Sequence, residues 1–259
     1  MKLPLFQIDA FSDRLFGGNP AAVVILDQWL PDATLAAIAA ENNLAETAYV
    51  IPGAEISPLR WFTPAEEIDL CGHATLATAF VLFRERFAEK TQLRFSTRSG
   101  ELTVDRDGER LRLDFPARPG QPLPVDPNVA TALGGQPLAA LQARDLMLVY
   151  GSEAEVRALK PDFRRLLELG GGSYIVTAPG DAVDFVSRFF APGFGIDEDP
   201  VTGSSHCTLI PYWAGRLGRN VLRARQISAR GGDLWCEARG ERVWMAGQAV
   251  EYLRGEIEV

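Results

Sequence analysis

The sequence predicts an α+β fold of two pseudosymmetric lobes from an internal duplication, each a strand-rich, barrel-like half around a central helix. Three observations carry this. The chain repeats itself: Pro31-Asp32, a helical stretch, Tyr49-Val50-Ile51-Pro52-Gly53 and Arg60-Trp61-Phe62-Thr63-Pro64 return about 130 positions later as Pro161-Asp162, a helical stretch, Tyr174-Ile175-Val176, Pro179-Gly180 and Arg188-Phe189-Phe190-Ala191-Pro192. Each series then runs through an Ile-Asp pair (Ile68-Asp69, Ile196-Asp197) into a glycine turn and an apolar helical stretch. The remaining segments are short strand-like runs bounded by turn residues.

The first lobe, residues 1–117, opens with Leu5-Phe6-Gln7-Ile8-Asp9-Ala10-Phe11, whose period of two is that of a strand. Gly17-Gly18-Asn19-Pro20 is a turn, and residues 21–26 form a short buried strand. Pro31-Asp32 starts an Ala-rich helix that ends near Asn42-Asn43; the first turn of a helix tolerates proline because its N–H is not needed there. Residues 46–51 and 59–63 read as strands. Residues 73–84 are apolar on every face, as a buried helix is. Three strands follow near 92–96, 101–106 and 110–115. The segment from Pro116 to Pro127 holds five prolines and little periodicity, and reads as a linker.

The second lobe, residues 118–259, repeats the plan. A strand over 145–150 leads to a helical region over 153–169, broken at Pro161. Strands over 173–178 and 184–190 precede Gly203, which opens a second apolar helix over 204–217. Strands near 223–229, 232–239 and 242–247 follow, and the last segment, from Val250, can close either lobe.

Composition excludes several classes of function. At 259 residues, 47% hydrophobic and 23% charged, the chain is an ordinary globular protein. No apolar run approaches the roughly 18 residues that span a bilayer, and the N-terminus lacks the pattern of a signal peptide, so a cytoplasmic location is expected. A net charge of -8 without a basic patch speaks against nucleic acid or an anionic membrane as partner. Cys71, Cys207 and Cys236 are scattered, with no Cys-x-x-Cys, which indicates neither a disulfide framework nor a zinc knuckle. The three lysines, Lys2, Lys90 and Lys160, lie in polar contexts unsuited to a Schiff base with pyridoxal phosphate. No Gly-x-Gly-x-x-Gly follows a strand, which disfavours a nicotinamide or flavin oxidoreductase.

Candidate chemistry gathers at the glycine turns. Cys71-Gly72-His73-Ala74-Thr75 and Thr202-Gly203-Ser204-Ser205-His206 occupy equivalent places at the starts of the two apolar helices. Helix starts offer unpaired N–H groups and the positive end of the dipole, so two of them facing one cleft would hold a carboxylate. The plainer alternative is that the glycines permit tight turns and Ser or Thr caps the helices. His73 at a helix start is expected to have a lowered pKa and to serve as a neutral hydrogen-bond partner or proton relay, or else to be a packed histidine. Glu46, at the mouth of an apolar strand, suits a general acid or base. Its place in the second lobe is taken by Gly171 or Gly172, so the carboxylate belongs to one half only; the alternative is an exposed strand-end acid. Asp199 lies where the second lobe is about three residues longer, a loop position where function concentrates, or else simple Asp-Pro turn chemistry. Neither histidine has metal-ligand spacing with Asp, Glu or Cys, so no metal is expected.

At these residues the chain resembles the phenazine-biosynthesis-like PhzF family. The resemblance rests on Gln7-Ile8-Asp9-Ala10-Phe11, Gly18-Asn19-Pro20-Ala21, Asn43-Leu44-Ala45-Glu46-Thr47, Phe62-Thr63-Pro64, Glu67-Ile68, Gly72-His73-Ala74-Thr75, Arg98-Ser99-Gly100 and Glu198-Asp199-Pro200-Val201-Thr202-Gly203-Ser204, which span nearly the whole chain in the family's order. It implies a diaminopimelate-epimerase-like fold, a homodimer and cofactor-free acid/base isomerisation of a small carboxylic acid. By position, Glu46 resembles the family's proton-shuttling carboxylate and His73 and Asp199 its polar assistants. Gly72, Gly203 and Ser204 resemble its anion-holding turns, with Thr202 beside them. Racemases of the same fold use two opposed thiols; Cys71 falls at the first position and Thr202 at the second. A threonine hydroxyl is no base near neutral pH, so a two-thiol epimerase is not expected and Cys71 reads as a small buried filler. The competing reading is a catalytically idle small-anion binding protein on the same scaffold.

Overall fold

The computed structural model describes all 259 residues. The chain forms two compact units, Met1–Asp114 together with Met245–Val259, and Phe115–Trp244. No helix is long and apolar enough to cross a membrane.

The first unit contains β1 (Lys2–Ala10), β2 (Asn19–Ile25), α1 (Asp32–Asn42), β3 (Glu46–Val50), β4 (Ser57–Phe62), β5 (Glu67–Ile68), α2 (Gly72–Glu85), β6 (Gln92–Thr97), β7 (Gly100–Asp107) and β8 (Arg110–Pro116). In the second unit these are followed by β9 (Gln121–Leu123), α3 (Pro127–Leu133), β10 (Ala139–Gln142), β11 (Leu146–Val149), α4 (Glu153–Ala158), α5 (Phe163–Glu168), β12 (Tyr174–Pro179), β13 (Phe185–Ala191), β14 (Ile196–Asp199), α6 (Gly203–Leu217), β15 (Val221–Gln226), β16 (Gly232–Arg239) and β17 (Arg242–Gly247). The final strand, β18 (Ala249–Glu258), returns to the first unit and pairs antiparallel with β1 from Lys2↔Glu258 to Ala10↔Ala249.

Strand pairing shows the duplication directly. In the first unit β1 pairs antiparallel with β2, β2 parallel with β3, β3 antiparallel with β4, β4 parallel with β6, and β6 antiparallel with β7. The second unit repeats each relation with β10, β11, β12, β13, β15 and β16. The ladders also correct the alignment of the halves. Thr47 stands opposite Phe62, whereas Tyr174 stands opposite Phe190. With Phe62 and Phe190 equivalent, Tyr174 stands at the position of Thr47 and Val176 at that of Tyr49, so the two tyrosines are two positions out of step. The counterpart of Glu46 is therefore Ser173, not Gly171 or Gly172. Ser173 donates its hydroxyl to the Asp145 carboxylate.

The segment read as a linker contains β9, which pairs antiparallel with β10. All three of its residues are exposed, and proline at 122 is tolerated in so short an edge strand. Arg118 ties the same segment down. Pro211 inside α6 has no N–H to give the Cys207 carbonyl, and the Arg118 N–H donates to that carbonyl instead at 2.8 Å.

Each unit sheathes one helix. α2 is buried at every residue except Phe80, Arg84 and Glu85, and packs on β1, β2 and β3. Its buried hydroxyls bond back to the preceding turn, Thr75 to the Cys71 carbonyl at 2.5 Å and Thr78 to the Ala74 carbonyl at 2.7 Å. α6 places Trp213 flat against Phe185, with centroids 5.7 Å apart, and the indole N–H donates to Thr177 Oγ1 at 2.9 Å. Outside the sheets, α1 covers Val24, Tyr49 and Phe62, and α4 and α5 cover Val176 and Phe190.

The hairpin entering each central helix is locked by the same device. Arg60 on β4 forms a two-pronged ion pair with Glu67 on β5, at 2.7 and 2.6 Å. Arg188 on β13 does the same with Glu198 on β14, at 2.8 Å on both prongs. Each guanidinium also lies over the aromatic ring two residues on, Phe62 at 5.1 Å and Phe190 at 4.8 Å. Arg188 further donates to the Val156 and Leu159 carbonyls that end α4. Arg188→Leu leaves a largely buried carboxylate and two carbonyls without their partner, and is expected to lower stability by about 3 kcal/mol. Urea unfolding checks this; a loss under about 1 kcal/mol would make the fork a mere surface pair.

Candidate functional site

In the first unit the site forms where β3 begins and α2 begins. Glu46, the first residue of β3, pairs with Ala21 in the β2 ladder, which turns its side chain inward; it is only 9% exposed and is not a solvated strand end. His73, the second residue of α2, is 4% exposed, and its Nε2 lies 3.1 Å from Glu46 Oε2. The pair is close enough for ionic attraction, but neither atom gains an aligned hydrogen bond. On the other side of the ring, Nδ1 lies 3.2 Å from the Asn19 side-chain amide and 3.6 Å from Cys71 Sγ. Asn19 is brought there by Gly18, whose positive φ of 62° no ordinary side chain favours and whose added Cβ would collide with the Ala10 carbonyl.

The electrostatics reverse the expectation for His73. Burial by itself lowers its pKa, as the helix start was expected to do. The groups beside it, Cys71 first and then Glu46, act the other way and prevail, holding His73 well above its ordinary value. Burial, and then Glu46, push the Cys71 thiol itself up. The pair is thus a carboxyl group beside an imidazole in a dry place.

In the second unit Asp199 ends β14 and Thr202 precedes α6. Asp199 is 9% exposed and accepts the Thr202 hydroxyl. Gln226, fully buried at the end of β15, holds the turn from behind. Its Oε1 accepts the Thr202 N–H at 2.9 Å, and its Nε2 donates to the Asp199 carbonyl at 2.7 Å and to Thr202 Oγ1 at 3.2 Å. Ser205 donates to the Thr202 carbonyl at 2.8 Å, and His206 Nδ1 lies 2.8 Å from the same oxygen. Gly203 and Ser204 are the first two residues of α6, as Gly72 and His73 are of α2.

Neither central helix is capped by a side chain. Cys71 makes no cap bond, and Thr202 spends its hydroxyl on Asp199. The short outer helices α3, α4 and α5 are capped by Asp126, Ser152 and Asp162. The idea that Ser or Thr merely caps the two glycine turns is therefore not what the fold does. An uncapped, buried helix start is suited to an anion.

Sequence reading passed over three of these groups. Asn19 sat in a matched motif but carried no chemical signal, and Gln226 had none at all. Cys71, read as filler, touches the imidazole. The spacing along the chain also gave no hint that Glu46, Cys71 and His73 meet, with one donor atom of each within 4.8 Å of the others.

Comparison with known proteins bears on the whole chain. The family model described as phenazine biosynthesis-like protein matches residues 8–255. A Pseudomonas aeruginosa protein described as an uncharacterized isomerase is 52% identical over the full length of both chains. A crystal structure of a PhzF-family phenazine biosynthesis protein from Enterococcus faecalis superposes with a TM-score of 0.97 at 47% identity, covering 100% of each chain. A hydroxyproline epimerase from Agrobacterium vitis shares the fold, with a TM-score of 0.60 at 11% identity, over 99% of this chain and 92% of its own.

Two outcomes test the second-unit cluster. Gln226→Leu leaves the buried Thr202 N–H and Asp199 carbonyl without their partner and is expected to cost about 2–4 kcal/mol in calorimetric unfolding. His206 is buried with its Nε2 unpartnered, and burial pushes its pKa down to about 4. The folded form thus resists a proton that the unfolded chain accepts near 6.5. Stability is full above that pH and falls as pH drops toward 4, by about 3 kcal/mol. His73, shifted upward, adds no pH dependence in that window. His206→Gln should flatten the stability profile there; an unchanged profile would rule out His206 as its source.

Proposed function

The chain belongs to the phenazine-biosynthesis-like PhzF family, and we propose that it is a cofactor-independent isomerase that moves a proton between carbons of a small carboxylic acid by general acid/base catalysis. The observation that carries this reading is the buried Glu46–His73 pair beside the uncapped start of α2. Glu46 removes a proton from one carbon and returns it to another carbon of the same conjugated system. When Glu46 takes the proton its charge disappears, and the neighbouring imidazolium is left to balance the negative charge on the substrate. Such preorganised charge is worth more in a water-poor site than in solvent. The substrate carboxylate is assigned to the uncapped helix start at Gly72, and Thr202, Gly203 and Ser204 are assigned as the corresponding anion-binding turn of the second unit. Asp199, bonded to Thr202, is assigned to the substrate's polar groups.

Two further points support the class. The 52% identical relative is itself described as an isomerase. The two-thiol route is disfavoured, because Thr202 stands at the second thiol position and burial keeps Cys71 protonated.

Small carboxylic acids that raise the melting temperature identify ligands by mass action. In deuterated water the wild-type protein is expected to exchange carbon-bound hydrogen of such a ligand. Glu46→Gln is expected to lose exchange by at least about 10²-fold while keeping the thermal shift. Near wild-type exchange in that variant would remove Glu46 from the chemistry. Binding without exchange in the wild type would favour an idle anion-binding protein.

A further inference from the structure

A buried histidine that gains and loses a proton needs a partner at Nδ1 in both states, because an unmet polar group inside a protein is costly. A bare Nδ1 needs a donor, and Nδ1–H needs an acceptor. The two histidines meet this need differently. His206 has the Thr202 carbonyl oxygen 2.8 Å from Nδ1, a fixed acceptor that keeps a hydrogen there. His73 has the Asn19 side-chain amide 3.2 Å from Nδ1. A carboxamide has a donor end and an acceptor end, and exchanges them by turning about one soft bond.

Asn19 is built into its place. It is the first residue of β2, stands opposite Ala10 of β1 and is fully buried. Gly18 before it takes a positive φ, and Pro20 after it favours an extended backbone. Two other groups face the ring: Glu46 of β3, 3.1 Å from Nε2, and Cys71 ahead of α2, its Sγ 3.6 Å from Nδ1. A thiol is a weak donor and a weak acceptor, so the amide is the stronger partner at Nδ1. The acids of the neighbouring strands are engaged elsewhere. Asp9 of β1 accepts the Phe16 N–H, and Glu251 of β18 pairs with Arg84 in the last turn of α2.

We propose that Asn19 is the positioning residue of the site: its amide nitrogen donates to Nδ1 of the neutral His73 ring and its carbonyl accepts from Nδ1–H of the charged ring, so that Nε2 keeps its hydrogen towards Glu46 in both states. The proton that His73 gains or loses then sits on Nδ1, the edge away from Glu46. Glu46 faces a constant donor while the charge on the ring changes. That this order serves proton transfer rests on the roles assigned to Glu46 and His73 above; the hold of Asn19 on the ring does not.

Nitrogen NMR of the full chain carrying isotope-labelled histidine, followed against pH, tests the hold. The chain has two histidines, and His206→Gln assigns their signals. The neutral rings are expected in opposite tautomers, Nδ1–H for His206 and Nε2–H for His73. Asn19→Asp fixes an acceptor at Nδ1 and should raise the His73 titration by at least about one pH unit, whereas Asn19→Leu removes the acceptor and should lower it by as much. A neutral His73 with its hydrogen on Nδ1, or a titration unmoved in either variant, overturns the proposal. Where the wild-type ring stays charged over the whole folded range, Asn19→Leu must bring its titration into that range, and a ring still charged throughout overturns it. If Asn19→Leu does not fold, Asn19→Asp, of the same shape, decides by its upward shift. Deuterium exchange of a bound carboxylic acid separates the two claims. A loss of at least about tenfold in Asn19→Leu supports both. Normal exchange with the titration moved leaves the hold of Asn19 standing and removes His73 from the reaction.

Discussion

The structure turns on two helices whose starts are shut off from solvent. α2 is buried on nearly all its faces, and α6 on most of its first two turns. A helix in the open has water to satisfy its first N–H groups, whereas a sheathed helix must find partners within the protein or in a ligand. The short outer helices use side-chain caps, and the two central ones do not. Each is reached instead through a hairpin locked by an arginine–glutamate fork lying on an aromatic ring. The fork sets where the hairpin ends, and so where the uncapped turn stands.

The two halves share this scaffold but not its chemistry, and the two histidines show why. Both sit in the first turn and a half of a buried helix. Burial lowers the pKa of His206 to about 4, and the Thr202 carbonyl at its Nδ1 offsets this only in part. The same burial acts on His73, yet Cys71 and the Glu46 carboxylate 3.1 Å away reverse the outcome. The two histidines stand at different positions of the repeat, Ser204 being the counterpart of His73; one ring ties down a turn and the other lies beside an acid. Ser173, at the position equivalent to Glu46, carries no charge of its own. The duplication supplied the frame, and single substitutions within it made one half the seat of the acid/base pair proposed for the reaction.

Sequence alone carried much of the architecture. The repeated motifs, the apolar runs after Gly72 and Gly203 and the period-two strands all rest on local rules, in which side-chain spacing reports burial. The broken helix at Pro161 and the helix start at Pro31 were legible for the same reason. Glu46, His73 and Asp199 were legible as candidates because they are polar residues interrupting apolar segments or sitting at turns. The errors also have local causes. Five prolines hid β9, since a three-residue edge strand has no periodicity to detect. The two tyrosines were matched by identity, whereas register is set by cross-strand pairing.

Tertiary structure alone decided which groups face each other. Asn19, Glu46, Cys71 and His73 come from a strand start, another strand start and a helix start, and no rule of spacing predicts their meeting. Gln226 reaches back across more than twenty residues to hold Asp199 and Thr202. The sign of the His73 shift depends on a through-space distance, because Coulomb attraction acts over ångströms and not over sequence separation. Sequence determined the frame, since burial patterns are written locally along the chain. Folding determined the charge states and donor contacts, since these exist only once distant segments share a dry interior.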